Sequence, residues 1–169
     1  LSKLAQEQVA LRAVDEDGVD VVVTRSFNHT GARQSPDFFA PGVARQIALI
    51  EKDALEPVIR VGNLDAERDL MDVRDVVRAY TLLIERGERG AVYNVASGRA
   101  PSMRTVLDGL LARSRRTMRV ETDPARLRPN DVPIVLGDPA RLKAATGWSA
   151  EITFDRMLDD LLSYWRSAV

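Results

Sequence analysis

The chain has 169 residues, 45% of them hydrophobic, and its 24 basic and 25 acidic residues leave a formal charge of −1. It contains no cysteine and one histidine, His29, which excludes disulfide scaffolds, thiol nucleophiles and metal sites that need several Cys or His ligands from this chain. The near-neutral charge offers no global field for nucleic acid, and no apolar run approaches the roughly 20 residues that span a bilayer. We therefore expect a cytoplasmic protein without a nucleic-acid partner, a membrane partner or a bound metal.

Helical and strand patterns alternate along the chain. Residues 2–14 have the apolar spacing of an amphipathic helix, and residues 19–25 form the continuous β-branched run typical of a strand covered on both faces. Helices are further predicted at 38–52, 73–85, 102–112, 139–146 and 153–165, and strands at 58–62, 70–73, 91–96 and 118–121. Segment 127–135 is predicted to be irregular because Pro129 and Pro133 interrupt it. The alternation favours an α/β fold.

The first helix leads directly into a buried strand. A strand of this kind needs neighbouring strands, and no strand is predicted before residue 19. We therefore expect a further N-terminal part of the protein to precede residue 1.

Four segments, in this order along the chain, resemble a known family. They are LSKLAQE at 1–7, RSFNHTGARQ at 25–34, GNLDAERD at 62–69 followed by DVRDVV at 72–77, and RPND at 128–131 followed by LGD at 136–138 and TGW at 146–148. Together they are similar to the extended short-chain dehydrogenase/reductases, the NDP-sugar epimerase and dehydratase superfamily. The combination of FNHTG with GNLD most resembles the GDP-sugar branch of that superfamily.

The resemblance implies a particular fold and domain division. The chain would hold the last parallel strands of a partial doubly wound, Rossmann-like sheet, with a small C-terminal α/β substrate-binding subdomain. Residues 1–37 would end the dinucleotide-binding core, with the catalytic lysine helix and the following strand. Residues 38–169 would form mainly the nucleotide-sugar subdomain, with strand 91–96 returning to the core sheet.

The resemblance also implies what this sequence does not contain. The family's catalytic tyrosine would stand two residues before Leu1. The ten glycines never form the Gly-x-Gly-x-x-Gly pattern that cradles the pyrophosphate of a dinucleotide cofactor. The sequence therefore corresponds to the C-terminal half of such an enzyme, and we expect it to be inactive alone.

The activity implied by the resemblance is that of an NAD(P)-dependent oxidoreductase that reduces a GDP-4-keto-6-deoxy sugar. The cofactor would be NAD or NADP, with NADPH preferred, the substrate a GDP-sugar, and the intact enzyme a homodimer. A GDP-mannose 4,6-dehydratase, or another NDP-sugar epimerase or dehydratase, is the close alternative. A non-catalytic nucleotide-sugar-binding module is the alternative of a different class.

Three residues near the start of the chain are candidates for chemistry. Lys3 matches the family's catalytic lysine, whose ammonium favours the phenolate of a tyrosine and can hydrogen-bond the nicotinamide ribose. The first interpretation of His29 is a structural histidine whose hydrogen bonds are satisfied, and the second is a contact to the cofactor or the sugar. Arg33, in the loop after Gly31, is a candidate for substrate binding. For Lys3, the alternative is a solvated lysine at a helix start.

A nucleotide diphosphate is held by guanidinium groups and amides that converge from different segments. Arg68 and Arg128 match the family's diphosphate arginines, and Asn28 matches its amide near the diphosphate. Asp131 is placed to accept a hydrogen bond from a ribose hydroxyl. Together with Arg33, these four residues are the predicted nucleotide-sugar site.

Each of these assignments has a purely structural alternative. Arg68 could instead form a surface ion pair with Asp69 or Asp72. Asn28 could cap a turn, and Asp131 could form an Asx turn.

Overall fold

The computed structural model describes residues 2–127 and 130–169. Its helices are α1 (Ser2–Glu16), α2 (Phe39–Glu51), α3 (Val73–Arg86), α4 (Met103–Leu111), α5 (Ala140–Thr146) and α6 (Phe154–Ala168). Its strands are β1 (Val23–Ser26), β2 (Asn28–Thr30), β3 (Val58–Val61), β4 (Glu67–Arg68), β5 (Leu70–Asp72), β6 (Val92–Val95), β7 (Arg119–Thr122) and β8 (Ile134–Val135). A short 3-10 helix covers Pro124–Arg126.

The strands associate in parallel pairs. These pairs are β1 with β6, β2 with β5, β3 with β7, and β4 with β8. Parallel strands connected through helices are the hallmark of α/β proteins, so the predicted α/β fold is confirmed. The strand expected at 19–25 is shorter than its apolar run, because only Val23–Ser26 pairs with β6.

Three short strands depart from the sequence prediction. The patterns that predict strands need about four residues, whereas β2 has three and β4 and β8 have two each. The expectation that segment 127–135 is irregular is wrong at its end, because Ile134–Val135 pairs with β4. These strands exist because their partners lie beside them, not because of their own sequence.

Two apolar clusters form the interior. The first lies among α2, α4 and α6 and includes the fully buried Ile47, Leu107 and Leu158. The second lies around α3, α5 and β6 and includes Tyr93 and Leu142. The two clusters stabilise different parts of the chain.

Helix α1 is attached differently from the other helices. It buries none of its residues, and Leu4 and Val9 are 58% and 69% exposed. The guanidinium of Arg25 on β1 donates to both carboxylate oxygens of Glu7 at 2.6 and 2.9 Å, which lowers the pKa of Glu7. The described part of the chain contains no helix long and apolar enough to cross a membrane.

Glu51 and Arg166 join α2 to α6 through a bidentate ion pair. Both distances are 2.8 Å, the Glu51 side chain is 7% exposed, and the backbone N–H of Arg115 donates to the same carboxylate at 2.9 Å. The hydrogen bond from Arg166 holds the pKa of Glu51 below its ordinary value. The stabilisation from this pair is therefore fully present above the ordinary pKa and is lost as the pH falls through the lowered one.

We expect Glu51→Gln to lower the free energy of unfolding at pH 7 by about 1–2 kcal/mol. The variant should also lose less stability than the unmodified chain between pH 5 and pH 3, because it lacks the titrating carboxylate. Urea unfolding at several pH values measures both effects. Glu16→Gln, which alters the exposed Arg12–Glu16 pair, is the control and should change little. Equal acid dependence of Glu51→Gln and the unmodified chain would contradict the assignment.

Candidate functional site

A cleft of about 470 Å³ opens beside α2, β3 and β4. Asn28, Arg68 and Asp131 line it together, although they are far apart in the sequence. Arg128 lies outside the described residues, while Arg126, two positions earlier, also lines the cleft. Three of the five predicted nucleotide-sugar residues thus share one cavity, whose volume is typical of ligand sites.

Arg68 and Asp131 form the centre of a polar network in the cleft. A guanidinium nitrogen of Arg68 lies 2.5 Å from Oδ1 of Asp131, and the side chains are 16% and 21% exposed. The Asn63 amide donates to the other carboxylate oxygen at 3.1 Å. Asp131 therefore accepts hydrogen bonds from two residues that are more than 60 positions away in the sequence, and its carboxylate connects distant parts of the fold.

Two pairs of strands bring these side chains together. In the β2–β5 pair, Asn28 lies opposite Leu70, two residues after Arg68. In the β4–β8 pair, Arg68 lies opposite Val135, which is four residues after Asp131. This pairing therefore brings Arg68 close to Asp131. The site therefore depends on the short strands that the local sequence pattern does not predict.

The residue after Arg68 is a buried anchor. Asp69 is 0% exposed and accepts hydrogen bonds from the backbone N–H groups of Ser97, Gly98 and Gly137 at 2.8, 2.9 and 3.3 Å. The Ser97 hydroxyl donates to the same carboxylate at 2.7 Å. Asp69 thus fixes two loops next to β4. Sequence reasoning missed this role, because the donors lie 28 or more positions away.

The alternative of a surface pair between Arg68 and Asp69 or Asp72 is wrong. Both carboxylates are buried, and the side chain of Arg68 pairs with Asp131 instead. Asp72 caps the N-terminus of α3 by accepting from the backbone N–H of Arg74 at 2.8 Å.

Charged groups of both signs line the cleft. Arg60, Arg68 and Arg126 line it together with Asp37 and Asp131. Arg68 is paired with Asp131, and Arg126 is paired with Asp123 at 3.3 Å, so Arg60 and Asp37 are the remaining charged groups of the described lining. Sequence reasoning did not single out Arg60, Arg126 or Asp37. Arg126 could have been suggested by its place two residues before Arg128.

Lys3 lies at the N-terminal end of α1, exposed and apart from the described lining of the cleft. Glu7, one helical turn later, bonds to Arg25 of β1, and residues four apart share a helix face. Lys3 is therefore on the face of α1 that meets β1, the strand that leads to Asn28. The catalytic role of Lys3 stays a prediction.

His29 and Arg33 are not among the described residues that line the cleft. Nδ1 of His29 lies 3.0 Å from the carbonyl oxygen of Phe27, and the Gln34 amide donates to the His29 carbonyl at 3.0 Å. These contacts favour the structural interpretation of His29. Arg33 has φ of 70°, a left-handed conformation that costs a non-glycine residue about 1 kcal/mol. Their binding roles stay predictions.

Comparison with known proteins decides the family. Residues 1–161 match the family model described as GDP-mannose 4,6 dehydratase. The chain belongs to this family. The resemblance to the GDP-sugar branch of the extended short-chain dehydrogenase/reductases is thereby confirmed.

Curated relatives in this family differ in activity. The chain is 40% identical to a GDP-6-deoxy-D-mannose reductase of Pseudomonas aeruginosa over 169 residues, which are 100% of this chain and 56% of the reductase. It is 26% identical to a GDP-mannose 4,6-dehydratase of Vibrio cholerae over 165 residues, covering 81% of this chain and 44% of the dehydratase. The chain thus spans about half the length of the curated relatives it matches.

Solved structures share the same fold. The Pseudomonas aeruginosa RMD structure, complexed with NADPH, superposes with a TM-score of 0.94 at 39% identity and covers 99% of this chain and 56% of that one. A UDP-glucose 4-epimerase from Bifidobacterium longum in complex with NAD+ and UDP gives a TM-score of 0.80 at 25% identity, covering 99% of this chain and 53% of that one. The expected Rossmann-like architecture is confirmed by these matches.

Proposed function

We propose that this chain forms the nucleotide-sugar-binding side of an NAD(P)-dependent oxidoreductase that reduces a GDP-4-keto-6-deoxy sugar, with NADPH preferred. The observation that carries the proposal is the cleft where Asn28, Arg68 and Asp131 meet. Identity of 40% to a reductase, against 26% to a dehydratase, supports the reductase activity over the close alternative.

The diphosphate would bind to donors that the cleft already orients. Two backbone carbonyls and Asp131 occupy three of the five N–H groups of Arg68. Two donors are left for phosphate oxygens, counting contacts within the described ranges. The Asn28 amide would supply another donor, and Arg128 is proposed as the second guanidinium.

The ribose would bind to Asp131. Its carboxylate accepts from Arg68 and Asn63, and a carboxylate has about four acceptor positions in total. A ribose hydroxyl can therefore donate to Asp131 without displacing either partner. Arg33 is proposed to close over the ligand from its exposed turn.

The reduction itself needs groups beyond this cleft. When bound, a nicotinamide cofactor supplies the hydride. From this chain, Lys3 is proposed to hold the nicotinamide ribose and to favour the phenolate of a tyrosine, and His29 is proposed as a further cofactor contact. The sequence has no Gly-x-Gly-x-x-Gly pattern for the cofactor pyrophosphate, so no residue of this chain is assigned to it.

The proposed domain division follows the same arrangement. Residues 1–37 would belong to the dinucleotide-binding core and residues 38–169 mainly to the substrate subdomain. Pairing of β1 with β6 supports the return of segment 91–96 to the core sheet. The intact enzyme is proposed to be a homodimer, as the family resemblance implies.

Calorimetric titration with GDP tests the binding part of this proposal. We expect GDP to bind the chain with a Kd of about 10 μM, and inorganic pyrophosphate to bind at least tenfold more weakly, because it lacks the ribose and base. Absence of any saturable binding up to millimolar GDP, in a chain that circular dichroism shows to be folded, would overturn the assignment of the cleft.

A further inference from the structure

A second cavity lies between the N-terminal end of α6, strand β5 and the loop 97–101. Its volume is about 450 Å³, and most of its lining is apolar. Leu70 and Phe154 contribute from the first apolar cluster and Met71 from the second, so the cavity lies at their junction. None of the described residues that line it also lines the nucleotide-sugar cleft.

Charge distinguishes this cavity from an ordinary packing defect. Arg99 is among the residues that line the cavity, and the described lining includes no acidic residue. Across residues 2–127 and 130–169, the exposed Arg99 side chain takes part in no ion pair. The cation beside the apolar wall is therefore available to an external anion.

The loop that carries Arg99 is held in place. The backbone N–H of Arg99 donates to the Ser97 hydroxyl oxygen at 3.2 Å, and that hydroxyl donates to the Asp69 carboxylate at 2.7 Å. Ser97 and Gly98 are in turn bound to the buried Asp69 carboxylate. A loop fixed in this way presents Arg99 at the edge of the cavity without the cost of ordering its backbone on binding.

We propose that this cavity binds a small amphipathic anion, with a carboxylate on a compact apolar body. The apolar body would lie against Leu70, Met71 and Phe154, which gain from the removal of water. The carboxylate would accept two parallel hydrogen bonds from the Arg99 guanidinium, which is the geometry that this pair favours. The site does not depend on the proposed function, because it shares no described lining residue with the cleft.

The probe for this site is 1-naphthoate, with neutral 1-naphthalenemethanol as its matched analogue. Titration followed by ligand-observed NMR should give a Kd of roughly 1 mM or tighter for 1-naphthoate. The alcohol should bind about tenfold more weakly, because it lacks the charge that Arg99 recognises. Equal affinity for both, or no saturable binding of 1-naphthoate, overturns the proposal.

Two variants locate the probe. Arg99→Gln should lower the affinity for 1-naphthoate about tenfold and leave the affinity for the alcohol unchanged. Arg104 is exposed and lies outside the described lining of both cavities, so Arg104→Gln should change neither affinity. Ala150→Phe, which places a ring in the cavity, should abolish binding of both probes in a variant whose circular dichroism matches the unmodified chain. Unchanged 1-naphthoate affinity in Arg99→Gln overturns the site even if Ala150→Phe does not fold.

A competition experiment separates this inference from the proposed function. At saturating GDP, the Kd of 1-naphthoate should stay the same within twofold. Displacement of 1-naphthoate by GDP would place the probe in the nucleotide-sugar cleft and contradict the second site. The comparison of Arg99→Gln with the unmodified chain uses no GDP. It therefore tests the second site even if GDP does not bind the chain.

Discussion

Replacement of Asp69 by Asn should lower the free energy of unfolding by about 3 kcal/mol. The Asp69 carboxylate is fully buried and accepts four hydrogen bonds, three from backbone N–H groups and one from the Ser97 hydroxyl. Asparagine keeps the shape but turns an NH2 group toward donors, so at least one buried N–H loses its acceptor. The carboxylate charge that strengthens the remaining bonds is also lost.

Urea unfolding followed by circular dichroism measures this loss. Asp20→Asn is the control, since Asp20 belongs to an exposed pair with Arg89 at 3.4 Å and should change stability by less than about 0.5 kcal/mol. If Asp69→Asn were as stable as Asp20→Asn, the four hydrogen bonds would not act as the anchor of β4 and its neighbouring loops.

Replacement of Arg68 by Gln should weaken GDP binding about thirtyfold, which corresponds to about 2 kcal/mol. The variant loses the charge and the donors proposed for the diphosphate, and it leaves the Asp131 carboxylate without its partner at 2.5 Å. GDP and pyrophosphate share the diphosphate group, so the affinity for pyrophosphate should fall by a similar factor. Calorimetric titration measures both affinities, and Arg104→Gln is the matched control.

Asp131→Asn separates the phosphate from the ribose contacts. If Asp131 accepts a hydrogen bond from the ribose, this variant should lower the affinity for GDP more than the affinity for pyrophosphate. Arg68→Gln should instead lower both affinities by a similar factor. An Arg68→Gln variant that keeps full GDP affinity would show that Arg68 only supports Asp131 and Asn63. The comparison of the two variants therefore assigns each residue to one part of the nucleotide.

The longer elements could be predicted because each carries its own pattern. In α3, Val76, Ala79 and Leu83 recur at helical spacing and are buried, and Asp72 stands at the N-cap. In β6, the apolar run at 91–96 has enough residues to indicate a strand. The family resemblance added the prediction that Asn28, Arg68 and Asp131 lie in one site, and all three line the same cleft.

The sequence by itself determined the α/β class, the places of the longer helices and strands, and the family of this protein. These properties follow from spacing and short motifs, which are local. Only the tertiary structure decided that Arg68 pairs with Asp131, that Asp69 anchors two loops, and that an apolar cavity with a cation at Arg99 lies beside them. The physical reason is that each of these features joins groups about 30 to 90 positions apart, whose encounter depends on strand pairing and packing across the whole domain.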